Sequence, residues 1–302
     1  MSDQSKRPHS NCPRYEEPVY RPPSEANSLI IQATIGCPHN KCAFCGMYKG
    51  KKFRIRPVSE IKEDLSSAGG GCQDVVESLF FADGNTIIMK TVELEDIFKY
   101  AHEIFPKLRR ITLYASAKIL KFKTLDDLKR LREAGLNRLH KGLESGNDEV
   151  LRRIQKGADS KLMIETGQRV KEAGIELSEY VLVSIGGKEL SREHALDTAR
   201  VLNAINPDFI RLRTWVPVAN APLYADYQRG KFKLLSPHEA LQETRLLIEN
   251  LTANSLLLSD HISNFINISG QLPQDKKSML AKIDRALKMD EKSFRSEIIE
   301  NL

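Results

Sequence analysis

The chain has 302 residues, 41% of them hydrophobic, and 46 basic side chains against 40 acidic ones give a net charge of +6. That composition suffices for one large core and excludes collagen-like and disordered classes, while the mild positive balance permits an acidic partner without requiring nucleic acid. No apolar run approaches the roughly 20 residues that span a bilayer, the opening MSDQSKRPHSNCPRYEEPVYRPP lacks a signal-peptide core, and five cysteines fit a reducing compartment, so a soluble, cytoplasmic protein with no membrane partner is expected.

Residues 1 to 27, rich in Pro, Ser, Arg and Glu, read as a disordered or draped extension. From there strand-like and helix-like segments alternate. Strands are predicted at 29–35, 78–82, 111–116, 138–143, 176–184 and 209–216, and helices at 58–68, 92–105, 124–134, 148–155, 160–173 and 192–205. Gly69-Gly70-Gly71 reads as a turn. Beyond Pro217 the alternation stops: helices at 236–250, 273–287 and 291–299 and a short strand at 255–259 form an extension that closes the open side. The expected fold is α/β, a partial (β/α)6 TIM-like barrel of parallel strands over 28–224, with a small, mainly helical C-terminal extension over 225–302.

Three thiols, Cys37, Cys42 and Cys45, crowd into the string IGCPHNKCAFCGMY just after the first strand. Barrels of this kind place chemistry on the loops at the C-terminal ends of their strands. Three close cysteines can hold three corners of a metal cluster and leave a fourth metal position without a protein ligand. Taken alone, the triplet also leaves a zinc knuckle or a ferredoxin-like site open. His39 reads as a loop residue, since thiolates supply the usual three contacts, and Cys12 and Cys72 read as ordinary tail and loop thiols. The run Lys49 to Arg56 is either a solvated basic loop or a landing patch for an acidic electron donor, a phosphorylated substrate or RNA.

The spacing Cys37-x4-Cys42-x2-Cys45, with Phe44 before the last cysteine, resembles the cluster loop of radical S-adenosylmethionine (radical SAM) enzymes, whose commonest form has three residues in the first gap. Ala82-Asp83-Gly84-Asn85 follows the second strand, where the superfamily usually has Gly-Gly-Glu. The fourth strand ends in Gly142-Leu143-Glu144-Ser145-Gly146-Asn147, and Lys156 follows. This is similar to the ribose-contacting segment of the branch that holds methylthiotransferases, the elongator acetyltransferase subunit and coproporphyrinogen dehydrogenase. The fifth strand and its turn, through Ser184 and Gly186, resemble the adenine-backing strand, and Trp215-Val216-Pro217 to Tyr224 resembles the strip after the sixth strand.

The resemblance covers about 28–224 and implies a [4Fe-4S] cluster on the three cysteines, with its fourth iron chelating S-adenosylmethionine. By the same resemblance, Phe44, Asp83, Gly84, Asn85, Glu144, Ser145, Ser184 and Gly186 surround that cofactor and Lys156 pairs with its carboxylate. It further implies reductive cleavage to a 5′-deoxyadenosyl radical that takes hydrogen from a substrate, and a small one-electron donor such as flavodoxin or ferredoxin as partner.

Period two then predicts the barrel lining. His140 and Arg138 share the face of Glu144, Trp215 shares that of Arg211 and Arg213, and Tyr114 that of Ser116. The alternative turns Arg211 and Arg213 outward to the helices. His261 and Asn264 read as a capping turn or as part of the mouth. Too few cysteines remain for an auxiliary cluster and no RNA-binding barrel follows the core, so a small or peptidyl anionic substrate met by Arg211 and Arg213 is preferred. RNA modification, or a non-catalytic zinc or iron-sulfur protein that binds RNA, is the alternative.

Overall fold

A computed structural model describes residues 13–294. Cys12 and positions 295–299 of the last predicted helix lie outside them. The sheet runs in chain order: β1 (Leu29–Gln32), β2 (Ser78–Ala82), β3 (Arg110–Ala115), β4 (Leu136–Glu144), β5 (Glu176–Val183), β6 (Phe209–Thr214), β7 (Leu256–Leu258) and β8 (Gly270–Gln271). The first seven are parallel and β8 is antiparallel to β7; β1 and β8 do not pair, so the sheet is open. The seventh parallel strand is the segment expected as an isolated strand in the extension. Parallel neighbours need crossovers, which α1 (Val58–Cys72), α2 (Thr91–Ile104), α3 (Ala117–Leu120), α4 (Leu125–Glu133), α5 (Asp148–Arg153), α6 (Ser160–Glu172) and α7 (Gly187–Ile205) supply. After β6 come α8 (Pro222–Gln228), α9 (Pro237–Asn250) and α10 (Lys276–Ala286).

Capping explains where several helices start. Thr124 and Asp127, and Ser236 and Glu239, make reciprocal capping boxes for α4 and α9, and Pro237 opens α9 where no amide hydrogen is needed. The glycines at 69–71 make no turn, contrary to expectation: α1 runs through them to Cys72. A Cβ on Gly69 would stand 2.5 Å from Cγ2 of Ile104, so the residue lets α1 lie close on α2. The predicted first strand is also interrupted. Thr34–Ile35 leaves the sheet and pairs with Arg54–Ile55 in a ribbon that frames the cysteine loop.

Alternation divides the strands into two faces. Ile31, Leu79, Phe81, Leu113, Leu139, Leu177, Val181, Ile210 and Leu212 face the helices in one continuous apolar core. The opposite face holds Phe80, Tyr114, His140, Ser178, Tyr180, Arg211 and Arg213, in mutual contact through ring edges, a Ser178–Arg211 hydrogen bond and the Arg213 guanidinium over the Tyr180 ring. The outward alternative for the two arginines is therefore not the observed one.

Residues 13–27 are neither loose nor merely surface. Arg14 bonds Asp64 and Glu63, and Gln32 is held by the Glu16 backbone through both ends of its amide. Tyr20 stacks edge-on against Tyr48, and a turn at Pro23–Glu25 inserts Glu25, fully buried, beneath the inner face. No helix among the described residues is long and apolar enough to cross a membrane.

Candidate active site

The cysteine loop leaves the C-terminal end of β1 and is tied down by backbone bonds to three distant segments. The Ala43 amide donates to Ile154 O (2.8 Å), Ala43 O accepts from the Leu223 amide (2.7 Å), and the Gly84 amide donates to Gly36 O (3.2 Å). Cys37, Cys42 and Cys45 are free and half-buried. Burial pushes the Cys42 thiol up to about 11 against the pull of Lys156, and raises Cys45 as well. Among the described residues, no three His, Cys, Asp or Glu side chains are gathered closely enough to hold one ion. His39 is engaged elsewhere, between Gln155 O (2.7 Å) and Lys118 Nζ (3.0 Å).

The segment after β2 abuts this loop. A Cβ on Gly84 would stand 2.9 Å from the Cys37 Cβ and 3.0 Å from the Tyr48 ring, so only glycine admits so close an approach. Asp83 accepts through Oδ2 from the Gly36 amide (2.9 Å) and from Gln32 Nε2 (3.0 Å), with Lys51 Nζ at 3.5 Å. Burial raises its pKa in spite of those partners. Its Oδ1, and Oδ1 of Asn85, meet no partner.

At the end of β4 the pairing register shifts between Gly142 and Glu144, and Glu144 sits at φ 63, a left-handed conformation that non-glycine residues adopt at some cost. Its carboxylate accepts from Lys156 Nζ (2.7 Å), and both residues are buried. Burial opposes the Lys156 charge, but Glu144 and the sulfur of Cys42 outweigh it and push the ammonium up to about 12. That ammonium also stands 5.6 Å over the Phe44 ring. Ser145 points the other way: its hydroxyl lies between His194 Nδ1 (2.8 Å) and the Asn147 amide (3.0 Å), fully buried. Ser145 positions the turn and does not face the mouth.

Ser184, after β5, is likewise left-handed at φ 71, and its buried hydroxyl has no partner. Gly186 is a packing residue: a Cβ there would meet Leu190 O at 3.1 Å and the His194 Cβ at 3.2 Å. Trp215 is a strut, its Nε1 donating to Phe44 O (3.3 Å) with its ring edge-on to Phe232, so it does not line a pocket as expected. His261 accepts from the Ser263 amide in its own turn, within electrostatic reach of Arg213, and burial takes its pKa down to about 4.

The basic run does not form a free patch. Lys49 donates to Asn40 O and Cys42 O, Lys51 to Glu16 O and Pro18 O, Arg54 to Glu16, and Arg56 to Gln32 O and Asp64. Lys51 and Arg54 tie the N-terminal strap to the segment after the cysteine loop, Lys49 braces the loop itself, and Arg56 anchors the segment to β1 and α1.

Three residues escaped the sequence reading. Glu25 accepts from His140 Nε2 (3.0 Å), with Ser28 and Arg110 on its other oxygen. Burial opposes the Glu25 charge, yet those bonds hold the carboxyl at about 2. His194 and Glu243 sit behind the turns that follow β4 and β5. Glu243 accepts from the Ser184 amide (2.7 Å) and the Ser191 hydroxyl (2.6 Å), and His194 lies 3.7 Å away. The only local signal is a carboxylate on the buried stripe of α9.

Burial lifts the Glu243 carboxyl from 4.5 to about 7 and takes His194 from 6.5 to about 4. Because the folded Glu243 holds its proton more tightly than the unfolded chain, its contribution is full below pH 4.5 and is lost as pH rises through 7, about 3 kcal/mol in all. His194 acts oppositely and costs stability as pH falls from 6.5 toward 4. Between pH 4.5 and 6.5 the two effects oppose each other, so Glu243→Gln is expected to unmask the His194 loss: its urea midpoints should fall more steeply than those of wild type as pH drops from 7 to 4.5. A variant whose midpoints follow the wild-type pH dependence across that range would contradict this.

Buried polar atoms are normally paired. Oδ1 of Asp83, Oδ1 of Asn85, Oγ of Ser116 and Oγ of Ser184 are unpaired among the described residues, and all lie at the C-terminal ends of β2, β3 and β5, the end of the sheet from which the cysteine loop leaves β1. Acceptors and hydroxyls in that set fit a bound group rich in ammonium and hydroxyl donors, and the free thiols beside Lys156 fit metal ligation.

Residues 31–202 match the family profile described as the radical SAM superfamily. The chain is 20% identical over 268 residues to a tRNA uridine(34) acetyltransferase of Methanocaldococcus infernus, covering 75% of this chain and 50% of that protein. It is 21% identical over 236 residues to the heme chaperone HemW of Bacillus subtilis, covering 76% and 61%. The chain thus spans between half and about three fifths of the length of these curated relatives. Coproporphyrinogen III oxidase (HemN) of Escherichia coli superposes with a TM-score of 0.56 at 21% identity, covering 74% and 52%. Methylornithine synthase (PylB) gives 0.52 at 16%, covering 86% and 81%. At these identities the likeness is one of fold.

Proposed function

The chain belongs to the radical SAM superfamily, and from that premise we propose that Cys37, Cys42 and Cys45 hold three irons of its [4Fe-4S] cluster and leave the fourth for S-adenosylmethionine. The superfamily's enzymes use both groups. When bound, the pair supplies one-electron cleavage of the sulfonium and a 5′-deoxyadenosyl radical that takes hydrogen from a substrate.

The observation that carries this reading is the set of unpaired buried oxygens at the same end of the sheet as three half-buried thiols. Asp83 and Asn85 are suited to accept from the cofactor's ammonium, and Ser184 to bond its nucleoside. Lys156, now bonded to Glu144, would hold the methionyl carboxylate, and Glu144 would then accept from a cofactor hydroxyl. Unlike an arginine, Lys156 offers a point charge and no bidentate fork. The strap of residues 13–27, Trp215 and the Phe44 ring help exclude water. A small one-electron donor such as flavodoxin or ferredoxin supplies the electron. An RNA substrate is less favoured, because Lys49, Lys51, Arg54 and Arg56 of the basic run that would meet it are bonded within the chain.

Lys156→Met is expected to weaken S-adenosylmethionine binding by about tenfold or more, the worth of one charge-assisted hydrogen bond, with iron content unchanged. Equilibrium dialysis on the reconstituted protein measures it. Unaltered affinity would remove Lys156 from the site.

A further inference from the structure

The inner face of the sheet, below the level of Glu144, holds a second group of unsatisfied side chains. Arg211 is 8% exposed, and its one hydrogen bond among the described residues is from Nε to Ser178 Oγ (3.0 Å). Arg213 makes no hydrogen bond there and lies 4.9 Å over the Tyr180 ring. Among the described residues neither arginine has a carboxylate partner within ion-pair distance. The nearby acids are taken: Glu25 by His140, Ser28 and Arg110, Asp83 by Gly36, Gln32 and Lys51, Glu176 by Arg138, and Glu144 by Lys156. Asp260 biases Arg211 from a distance without pairing. Arg211 is buried and Arg213 half-buried, and guanidinium groups so placed without a counter-ion are costly unless a ligand meets them.

His140 adds direction. It is fully buried, ringed by Phe80, Tyr114 and Tyr180, and its Nε2 faces the Glu25 carboxylate. A carboxylate accepts only, so Nε2 carries the hydrogen and Nδ1 is left as an acceptor. Among the described residues Nδ1 has no hydrogen-bond partner, nor has the Tyr180 hydroxyl. Residues two apart on one strand face lie about 6–7 Å from each other, so Arg211, Arg213, Tyr180 and His140, on neighbouring strands, form one cluster on this face.

Resting on the reading of the site above, we infer that this face binds a small organic anion that also carries a hydroxyl or amine hydrogen, its anionic group on Arg211 and Arg213 and its donor on His140 Nδ1. The depth of His140 suits a small molecule. Phosphate and carboxylate are both met by guanidinium forks.

The test is the melting temperature of the full chain, before and after cluster reconstitution, with millimolar malate, succinate, glutamate or glycerol 3-phosphate, against sodium chloride at equal ionic strength. At least one anion is expected to raise Tm by about 2–5 °C, malate more than succinate because only malate offers a hydroxyl. Whichever of the carboxylates and the phosphate ester shifts more identifies the anionic group. Arg211→Met/Arg213→Met should lose the shift and melt no lower than wild type without anion, since it removes unpaired charge. Should that variant not fold, the malate-over-succinate difference in wild type remains the test. No shift with any anion, an equal shift in the variant, or equal effects of malate and succinate would overturn the inference. Anion shifts without cleavage of S-adenosylmethionine would instead count against the reading of the cluster site.

Discussion

Cys42→Ala is expected to take iron from about four atoms per reconstituted chain to below about one and to abolish reductive cleavage of S-adenosylmethionine, with the chain still folded. The loop supports that separation of effects. Its shape comes from backbone bonds at Ala43, Gly36 and Gly84 and from Asn220 Nδ2 donating to Gly46 O (3.1 Å), none of which uses a sulfur. Cys42 is half-buried, so its truncation opens no core cavity. His39→Ala is the informative control: with its ring held between Gln155 and Lys118, it should keep the full iron complement. Iron and sulfide assays beside circular dichroism check both. A Cys42→Ala protein with its iron intact would move the cluster elsewhere.

Lys141→Met should destabilise the chain by about 3–5 kcal/mol, whereas the double change with Glu179→Leu should return it to near wild type. Lys141 and Glu179 are cross-strand partners on β4 and β5, both fully buried on the helix side, 3.0 Å apart. Lys141 also donates to Met163 O (2.9 Å), while the Glu179 carboxylate has no strong partner besides the ammonium. Burial lowers the lysine pKa and raises that of the glutamate, each opposed by the other's charge. Removing the lysine leaves a carboxylate stranded in an apolar layer; removing both leaves two side chains that can pack. Urea unfolding of the two singles and the double gives the coupling. A single change that costs under about 1 kcal/mol would mean that water reaches the pair.

Strand order was legible because parallel strands buried against helices carry strong apolar alternation, and the cysteine loop was legible because its spacing is local. The missed features are those in which distant contacts override local signals. Glycines punctuate a sequence, yet Gly69 is helical because α1 must clear Ile104. Period two places side chains only while a strand is regular; the shift at Gly142–Glu144 turns Ser145 onto His194 and leaves Glu144 at the mouth. Glu25 meets His140 across 115 positions and Glu243 meets Ser184 across 59, and no window of sequence contains either pair. The basic run looked like a surface patch because its acceptors, largely backbone carbonyls of residues 16–42, have no signature in composition.

The proposed function requires a cluster on Cys37, Cys42 and Cys45 with one iron left for S-adenosylmethionine. The direct measurement is product analysis of the anaerobically reconstituted, dithionite-reduced protein supplied with S-adenosylmethionine. It predicts methionine and 5′-deoxyadenosine in equal amounts, lost in Cys42→Ala. A protein that carries its full cluster, is reduced, and leaves S-adenosylmethionine intact, or one that is isolated with a single stable zinc and takes up no iron, would contradict it.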